Sequence, residues 1–272
     1  MVKVHLDNVS MGSNSGPNSF AKRLAKGLIE SGHDVFLHDG KNCDVSIVFI
    51  EPSGQPLAKK VIQRLDGIWF SPHEFEQKNT NIKNLYSCAD GIIWQSEFDK
   101  GMTTKWWGQP KQGVVIHNGI QTNPVTSFKI SALEQLRSRY EKLFVCSANW
   151  HPQKRLKSNI ELFQYLRKNY YKSSGLIVLG SNPTMVSDQD VYFTGPQPHE
   201  VCLEVFSACD WMLHLAWLDH CPNTVVESIS QNTPVICTEH GGTKELVQEF
   251  GIVLKENFQY NYELTDYDNP PD

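Results

Sequence analysis

An α/β chain folded around two doubly wound parallel sheets is what this sequence predicts, on three observations. Short apolar runs, many of them rich in β-branched residues, alternate with longer helix-patterned segments along the chain. A polar stretch at 118–131, holding Gly119, Asn123 and Pro124, interrupts that alternation, which then starts again. No internal repeat of fixed period relates the halves, so they are expected to share architecture and not sequence. At 272 residues and 40% hydrophobic content the chain can bury two modest cores. The expected division is a first domain at 1–122, a second at 123–255 and an acidic tail at 256–272.

Each element follows from its local pattern. Val2 to Leu6 reads as the first strand, and the loop from Asp7 to Asn18 leads into a helix through Phe20, Leu24, Leu28 and Ile29. Val35 to Leu37 reads as the second strand. Val45 to Ile50, Gly67 to Phe70, Gly91 to Trp94 and Val114 to Ile116 are further short apolar runs with strand character. In the second half Leu133 to Tyr140 reads as helix and Leu143 to Cys146 as strand. Ile160 to Tyr170, Gly175 to Leu179, Val191 to Phe193, His199 to Ser207, Trp211 to Leu215, Asn223 to Ser230 and Val235 to Cys237 continue the series.

The formal net charge of -5 is local to one end. The tail carries Glu256, Glu263, Asp266, Asp268 and Asp272 with no Lys or Arg, which leaves the body balanced and without the basic footprint of a nucleic-acid binder. Rich in Tyr, Asn, Asp and Pro, the tail reads as a loosely docked end. Cys43, Cys88, Cys146, Cys202, Cys209, Cys221 and Cys237 lack C-x-x-C spacing and mostly lie in apolar contexts. They read as reduced core thiols of a cytoplasmic protein, not as zinc ligands or disulfides. Lys3, His5 and Asp7 interrupt the first strand, so the start does not resemble a signal peptide, and no apolar run reaches the roughly eighteen residues of a membrane span. Peripheral contact at the inner face of a membrane stays open, with Trp106-Trp107 as one candidate contact and packing against the sheet as its plainer reading.

The richest stretch is Asp219 to Glu245, DHCPNTVVESISQNTPVICTEHGGTKE. Pro222 is tolerated in a first helical turn because its missing N–H would be unbonded there, and the amides of Asn223 and Thr224 that follow could receive a phosphate. Val225, Val226 and Ile229 form an apolar face and Glu227 lies on another side. Thr233-Pro234 ends that helix, Val235-Ile236-Cys237 reads as a buried parallel strand, and Gly241-Gly242 closes it with Thr243 as a candidate cap for the next helix. Loops at the carboxyl ends of neighbouring strands would thus meet in the crevice where open α/β sheets bind ligands.

Asp219-x7-Glu227 with Gly-Gly-Thr-Lys-Glu resembles the E-x7-E and GG-x-x-E segment of the family 4 retaining glycosyltransferases, glycosyltransferase group 1. The resemblance extends to Phe144-Val145-Cys146-Ser147 with Asn149 to Leu156 (NWHPQKRL), to Ala89 to Phe98, to Val115 to Ile120 and to Gly32-His33-Asp34-Val35, roughly residues 1–255. It implies a GT-B fold, two Rossmann-like domains facing a cleft, and metal-independent transfer from a UDP- or GDP-sugar to a glycan, lipid-linked or small-molecule acceptor. No cofactor and no metal are expected. Against the family pattern the first half is short between Ile50 and Gly67, and the long helix with which many relatives cross back is missing after Leu254, so a minimal or truncated form is expected.

The resemblance assigns the leaving diphosphate chiefly to Lys154, with Arg155 beside it; the family usually has Arg where Asn149 stands. A solvated basic turn would look the same. Glu227 would accept from both ribose hydroxyls, as suits an ionised carboxylate. Asp219 takes the place of the family's first Glu, close to the reacting carbon, one methylene shorter; an ordinary loop or capping Asp is its alternative. His73, in Trp69-Phe70-Ser71-Pro72-His73-Glu74, resembles the histidine beside the donor sugar, although a lone His after a strand is commonly a polar loop residue. Gly195 and Pro196 are expected near the base. Gly12, Ser13, Asn14, Ser15 and Gly16 form a loop between strand and helix whose backbone could approach an acceptor. His199, His214, His220 and His240 are supporting or surface candidates, with no metal-ligand spacing. Asp188-Gln189-Asp190 and Asp266-Tyr267-Asp268 fit the D-x-D pattern of metal-dependent transferases, but neither lies where a metal clamp belongs. A sugar-nucleotide epimerase of the same fold and a sugar-nucleotide binder without turnover are the rival readings.

Overall fold

A computed structural model describes the chain at all positions except 14, 121, 123, 126–129, 182–187 and 272. Asn14 of the expected acceptor loop, Asp272 of the tail and parts of the expected linker therefore lie outside the described residues. The chain divides into two compact units, Met1–Gly119 with Tyr260–Thr265, and Ile120–Gln259 with Asp266–Asp272.

The first unit runs β1 (Lys3–Asp7), α1 (Gly16–Glu30), β2 (Asp34–Phe36), β3 (Val45–Phe49), β4 (Val61–Leu65), α2 (Phe75–Cys88), β5 (Gly91–Trp94), α3 (Glu97–Trp107) and β6 (Gly113–Val115). All six strands are parallel, in the order β2-β1-β3-β4-β5-β6, with Leu6 opposite Ile47 and Val48 opposite Gln63. Val4, Leu6 and Phe49 pack with Ala21 and Ala25 of α1, while Leu65, Ile92 and Trp94 pack with Ile82 and Tyr86 of α2. Helix α3 begins where the Ser96 hydroxyl accepts from Asp99 N at 3.0 Å, and it ends at Gly108, whose φ of 81° a side chain would resist.

One expected strand is displaced. The run Gly67 to Phe70 stands outside the ladder, and the strand at that place in the order is β4, where Gln63 and Arg64 interrupt the apolar pattern. Both side chains are buried because the fold supplies partners. Gln63 Nε2 donates to Ile50 O at 2.7 Å and to Ile82 O at 3.0 Å. Arg64 pairs with Asp66, donates to Asn118 Oδ1 at 2.5 Å and lies 3.9 Å over the Phe20 ring.

The tail, expected to dock loosely, makes specific contacts in this unit. Lys105 Nζ donates to Asn261 O, Trp106 Nε1 donates to Tyr262 O at 2.9 Å, and Thr265 N donates to Phe70 O at 2.9 Å. Tyr262 seats its ring against Gly101, where a Cβ would stand 2.7 Å from the ring. Trp107 packs edge-on against Tyr86 at 5.4 Å.

The second unit runs α4 (Ser131–Arg139), β7 (Lys142–Ser147), α5 (Leu156–Asn169), β8 (Ser174–Leu179), β9 (Val191–Gly195), α6 (His199–Ala208), β10 (Trp211–His214), α7 (Asn223–Ser230), β11 (Val235–Thr238), α8 (Thr243–Val247) and β12 (Gly251–Leu254). Its six parallel strands lie in the order β12-β11-β10-β7-β8-β9. Alternate residues feed opposite faces: Leu143, Val145, Ile177 and Leu179 enter one core cluster, Phe144, Cys146, Leu176 and Val178 the other. That two-sided burial is why these strands read as continuous apolar runs. Thr243 is the first residue of α8 and not its cap; Gly242 holds the cap position and no side chain caps the helix. Strand β12, which the sequence did not suggest, pairs with β11 beyond it. All seven cysteines are free thiols. Two parallel six-stranded sheets thus realise the expected α/β class.

Candidate active site

In the second unit the sheet order reverses beside β7: β8 lies on one side of it and β10 on the other, so the loops that follow β7 and β10 diverge over a crevice at the strands' carboxyl ends. The β7 loop ends in a tight turn, Pro152–Lys154, closed by Lys154 N to His151 O at 2.8 Å and Arg155 N to Pro152 O at 2.9 Å. Arg155 then adopts φ 48°, ψ 51°, a left-handed residue from which α5 departs. The β10 loop carries Leu215 to Pro222 into α7 and has its own left-handed residue, Leu218, at φ 51°.

Lys154 and Asp219 meet across that crevice: Nζ lies 2.5 Å from Oδ2. His214, ending β10 and buried, places Nε2 3.2 Å from the same oxygen. Burial acts to raise the Asp219 pKa, but the Lys154 ammonium and His214 outweigh it and hold the carboxyl well below the usual carboxylate range. Asp219 is therefore an anion at neutral pH. In His220 burial lowers the imidazole pKa to about 4, with Asp219 pulling the other way, so that ring is neutral.

The Gly241-Gly242 turn closes the third side. Gly242 N donates to Asp219 O at 2.7 Å. Gly241 has φ 98°, and a Cβ there would stand 2.9 Å from Asp219 O, so both conformation and contact require glycine. Helix α7 opens at Asn223 and Thr224 without a side-chain cap. Glu227 lies in its second turn, 7% exposed, with Oε1 3.2 Å from His199 Nε2 at the start of α6. Gly195 ends β9 with φ 70° and accepts from Gly180 N at 3.0 Å.

Arg155 is placed differently from Lys154. Its guanidinium is buried, donates to Glu256 Oε1 at 2.8 Å and to Pro271 O at 2.6 Å, and lies 5.0 Å from the Trp217 ring centroid. Asn149 accepts from Ser181 Oγ at 2.7 Å and contacts His151 Nε2 at 3.0 Å. His73 is exposed in the turn before α2, and Gly12, Ser13 and Ser15 lie in the link from β1 to α1, which Gly16 opens; both belong to the first unit. Ser15 holds the α1 cap position, its hydroxyl accepting from Asn18 Nδ2 at 2.8 Å. Asp188 and Asp190 spend their carboxylates on Arg167, at 3.1 and 2.7 Å. Among the described residues no group of three or more His, Cys, Asp or Glu is placed to hold a metal, and no helix is long and apolar enough to cross a membrane.

Several supporting residues escaped the sequence reading. Trp217 N donates to Gln153 O at 2.7 Å and Gln153 Nε2 returns a bond to Trp217 O at 3.0 Å. Asn159, inside an ordinary helical pattern, bridges the same two loops. Gly180 is pressed against the backbone of Ala148, where a Cβ would stand 1.8 Å from the carbonyl oxygen. A glycine just past an apolar strand was the only visible signal for the last; the amides carry none, because the bonds that join the two loops, Gln153 to Trp217 and Asn159 to Leu215, span 64 and 56 positions.

No curated protein sequence matches the chain. Among solved structures, HepE of Anabaena in complex with UDP-glucose is similar at 16% identity and a TM-score of 0.69, over 96% of this chain and 87% of that one. Sucrose-phosphate synthase of Thermosynechococcus elongatus is similar at 14% identity and a TM-score of 0.71, over 95% and 87%. WaaG, a glycosyltransferase involved in lipopolysaccharide biosynthesis, is similar at 13% identity and 0.69, over 95% and 87%. Identities this low speak for a shared fold, here GT-B. The family model for glycosyl transferases group 1 matches residues 132–261, the stretch that carries Lys154, Asp219, Glu227 and Gly241-Gly242. Residues 132–261 of this chain thus match glycosyl transferases group 1, within a chain that shares the GT-B fold of these structures.

Proposed function

We propose that the protein transfers a hexose from a nucleotide-diphosphate sugar to an acceptor hydroxyl, with retention of configuration and without a metal ion. The observation that carries this reading is the Lys154–Asp219 pair at 2.5 Å, held at the sheet's switch point with the glycine turn packed on the Asp219 backbone. An ammonium has three donors, so one on Asp219 leaves two for a diphosphate. Negative charge grows on the leaving diphosphate as the glycosidic bond breaks. A fixed cation and the first-turn amides of α7 are worth most at that moment, because they need no reorganisation. Asp219 holds the sugar hydroxyls near the reacting carbon, Glu227 accepts from the ribose, and the base lies near Gly195. Arg155 acts on this site through the loop it anchors. The family resemblance gives His73 a role beside the donor sugar, and residues 12–16 take the acceptor side. Because HepE was solved with UDP-glucose, a UDP-sugar is the first donor to try.

A second reading has its own support: a donor-binding protein without turnover. Arg155 is committed to Glu256 and Pro271 and an asparagine stands at 149, which leaves Lys154 as the cation at the crevice. Calorimetric titration with UDP, GDP, ADP and their sugar conjugates in EDTA, followed by sugar transfer to an acceptor panel, separates the readings. Saturable binding of one nucleotide with sugar transfer supports the transferase. Binding without transfer or donor hydrolysis supports the second reading, and no binding by any nucleotide sinks both.

A further inference from the structure

Asn159 makes more hydrogen bonds than its place in α5 requires. Its backbone N–H already closes the ordinary helical bond to Arg155 O at 3.1 Å. The side chain, 1% exposed, adds three more: Nδ2 donates to Arg155 O at 2.8 Å and to Lys154 O at 3.2 Å, and Oδ1 accepts from Leu215 N at 3.2 Å. The first two lie on the turn that presents Lys154. The third lies on the residue after His214, at the start of the loop that presents Asp219. On the other side of Lys154 the reciprocal Gln153–Trp217 bonds join the same two loops.

We propose that Asn159 is a positioning residue for the Lys154–Asp219 pair, its carboxamide locking the β7 loop to the end of β10. The role in donor handling rests on the function proposed above. Only a primary amide supplies donors and an acceptor from one flat group at this reach. An aspartate in its place has nothing to donate, and a leucine leaves three backbone groups without that partner at a buried position. Without the lock, the left-handed Arg155 is a swivel, and the Lys154 carbonyl loses a fixed point next to the residue whose ammonium must meet Asp219. Displacements of this kind cost binding and rate because charge–charge contacts at 2.5 Å tolerate little movement.

The test is the reactivity of the Lys154 amine, which its salt bridge suppresses. The intact protein is treated with limiting acetic anhydride, and acetylation of Lys154 is read by peptide mass spectrometry against Lys157, whose side chain is 82% exposed. Two variants are compared with wild type. Asn159→Leu removes every side-chain bond; Asn159→Ser can still bond back to Arg155 O within the helix but does not reach Leu215. The expected result is a Lys154-to-Lys157 ratio raised about tenfold in both, with UDP affinity lowered by a similar factor. An unchanged ratio overturns the proposal, as does a rise shared by all lysines, which is general loosening. If Asn159→Leu fails to fold, Asn159→Ser decides alone. If wild type binds no UDP, the proposed function falls while the acetylation ratio still judges Asn159.

Discussion

The ammonium of Lys154 lies 2.5 Å from the carboxylate of Asp219, although 65 positions separate them in the chain. The pair joins the two loops that diverge at the reversal of the sheet order, and His214 holds the acceptor oxygen from behind at 3.2 Å. In the function proposed above, a cation at this place serves a diphosphate, and its partner carboxylate, kept ionised, serves sugar hydroxyls. The two groups therefore compete for and also position each other.

Replacing either member separates those roles. Lys154→Met lowers affinity for UDP by about tenfold or more, the worth of a charge-assisted contact. Asp219→Asn leaves UDP affinity equal or higher, because the ammonium is released, and removes the preference for UDP-sugar over UDP. Calorimetry with both ligands checks this, and equal losses in the two variants would contradict it.

Glu227 is buried, with one oxygen near His199 and a second acceptor oxygen besides. A ribose ligand there makes the 2′-hydroxyl count. Wild type is expected to bind UDP about tenfold more tightly than 2′-deoxy-UDP, and Glu227→Ala to bind the two alike. Competition titration measures the ratio directly.

The His220 imidazole, lowered to about 4 by burial, ties stability to pH. A histidine harder to protonate in the folded state contributes stability that is full above the unfolded value near 6.5 and is lost as pH falls from there to about 4. The loss amounts to about 2 kcal/mol, reduced from the full shift because the residue as a whole is only partly buried. Urea denaturation across that interval should show a slope that His220→Gln flattens.

Gly241 combines φ 98° with backbone contact to Asp219. Gly241→Ala is expected to cost about 1–3 kcal/mol of stability and to weaken donor binding more than Gly195→Ala does. Gly195 has a similar φ of 70° but open space where a Cβ would go. Thermal melts and titrations of both variants test the comparison.

Much of the second domain was legible in sequence because its inner strands are buried on both faces. Phe144 and Val145 are apolar for opposite cores, so the run cannot be mistaken for surface. Asn223 to Ser230 matched in its bounds because Pro222 and Thr233-Pro234 punctuate it locally. Strand β4 was missed for the reverse reason: Gln63 Nε2 donates to Ile50 and Ile82 and Arg64 to Asn118, partners 13, 19 and 54 positions away that no local window contains. The tail misled in the same way, since the seat of Tyr262 is Gly101 of α3, far off in sequence.

The sequence by itself determined the class of the fold, the two alternating halves and the residue types at the crevice, because periodicity, Pro and Gly act over a few bonds. Only the tertiary structure decided what those residues touch: Lys154 on Asp219, Arg155 turned away to Glu256 and Pro271, Asn159 bridging two loops. Side-chain pairing depends on where the order of strands reverses, and that order is set by packing of the whole sheet and not by any segment within it.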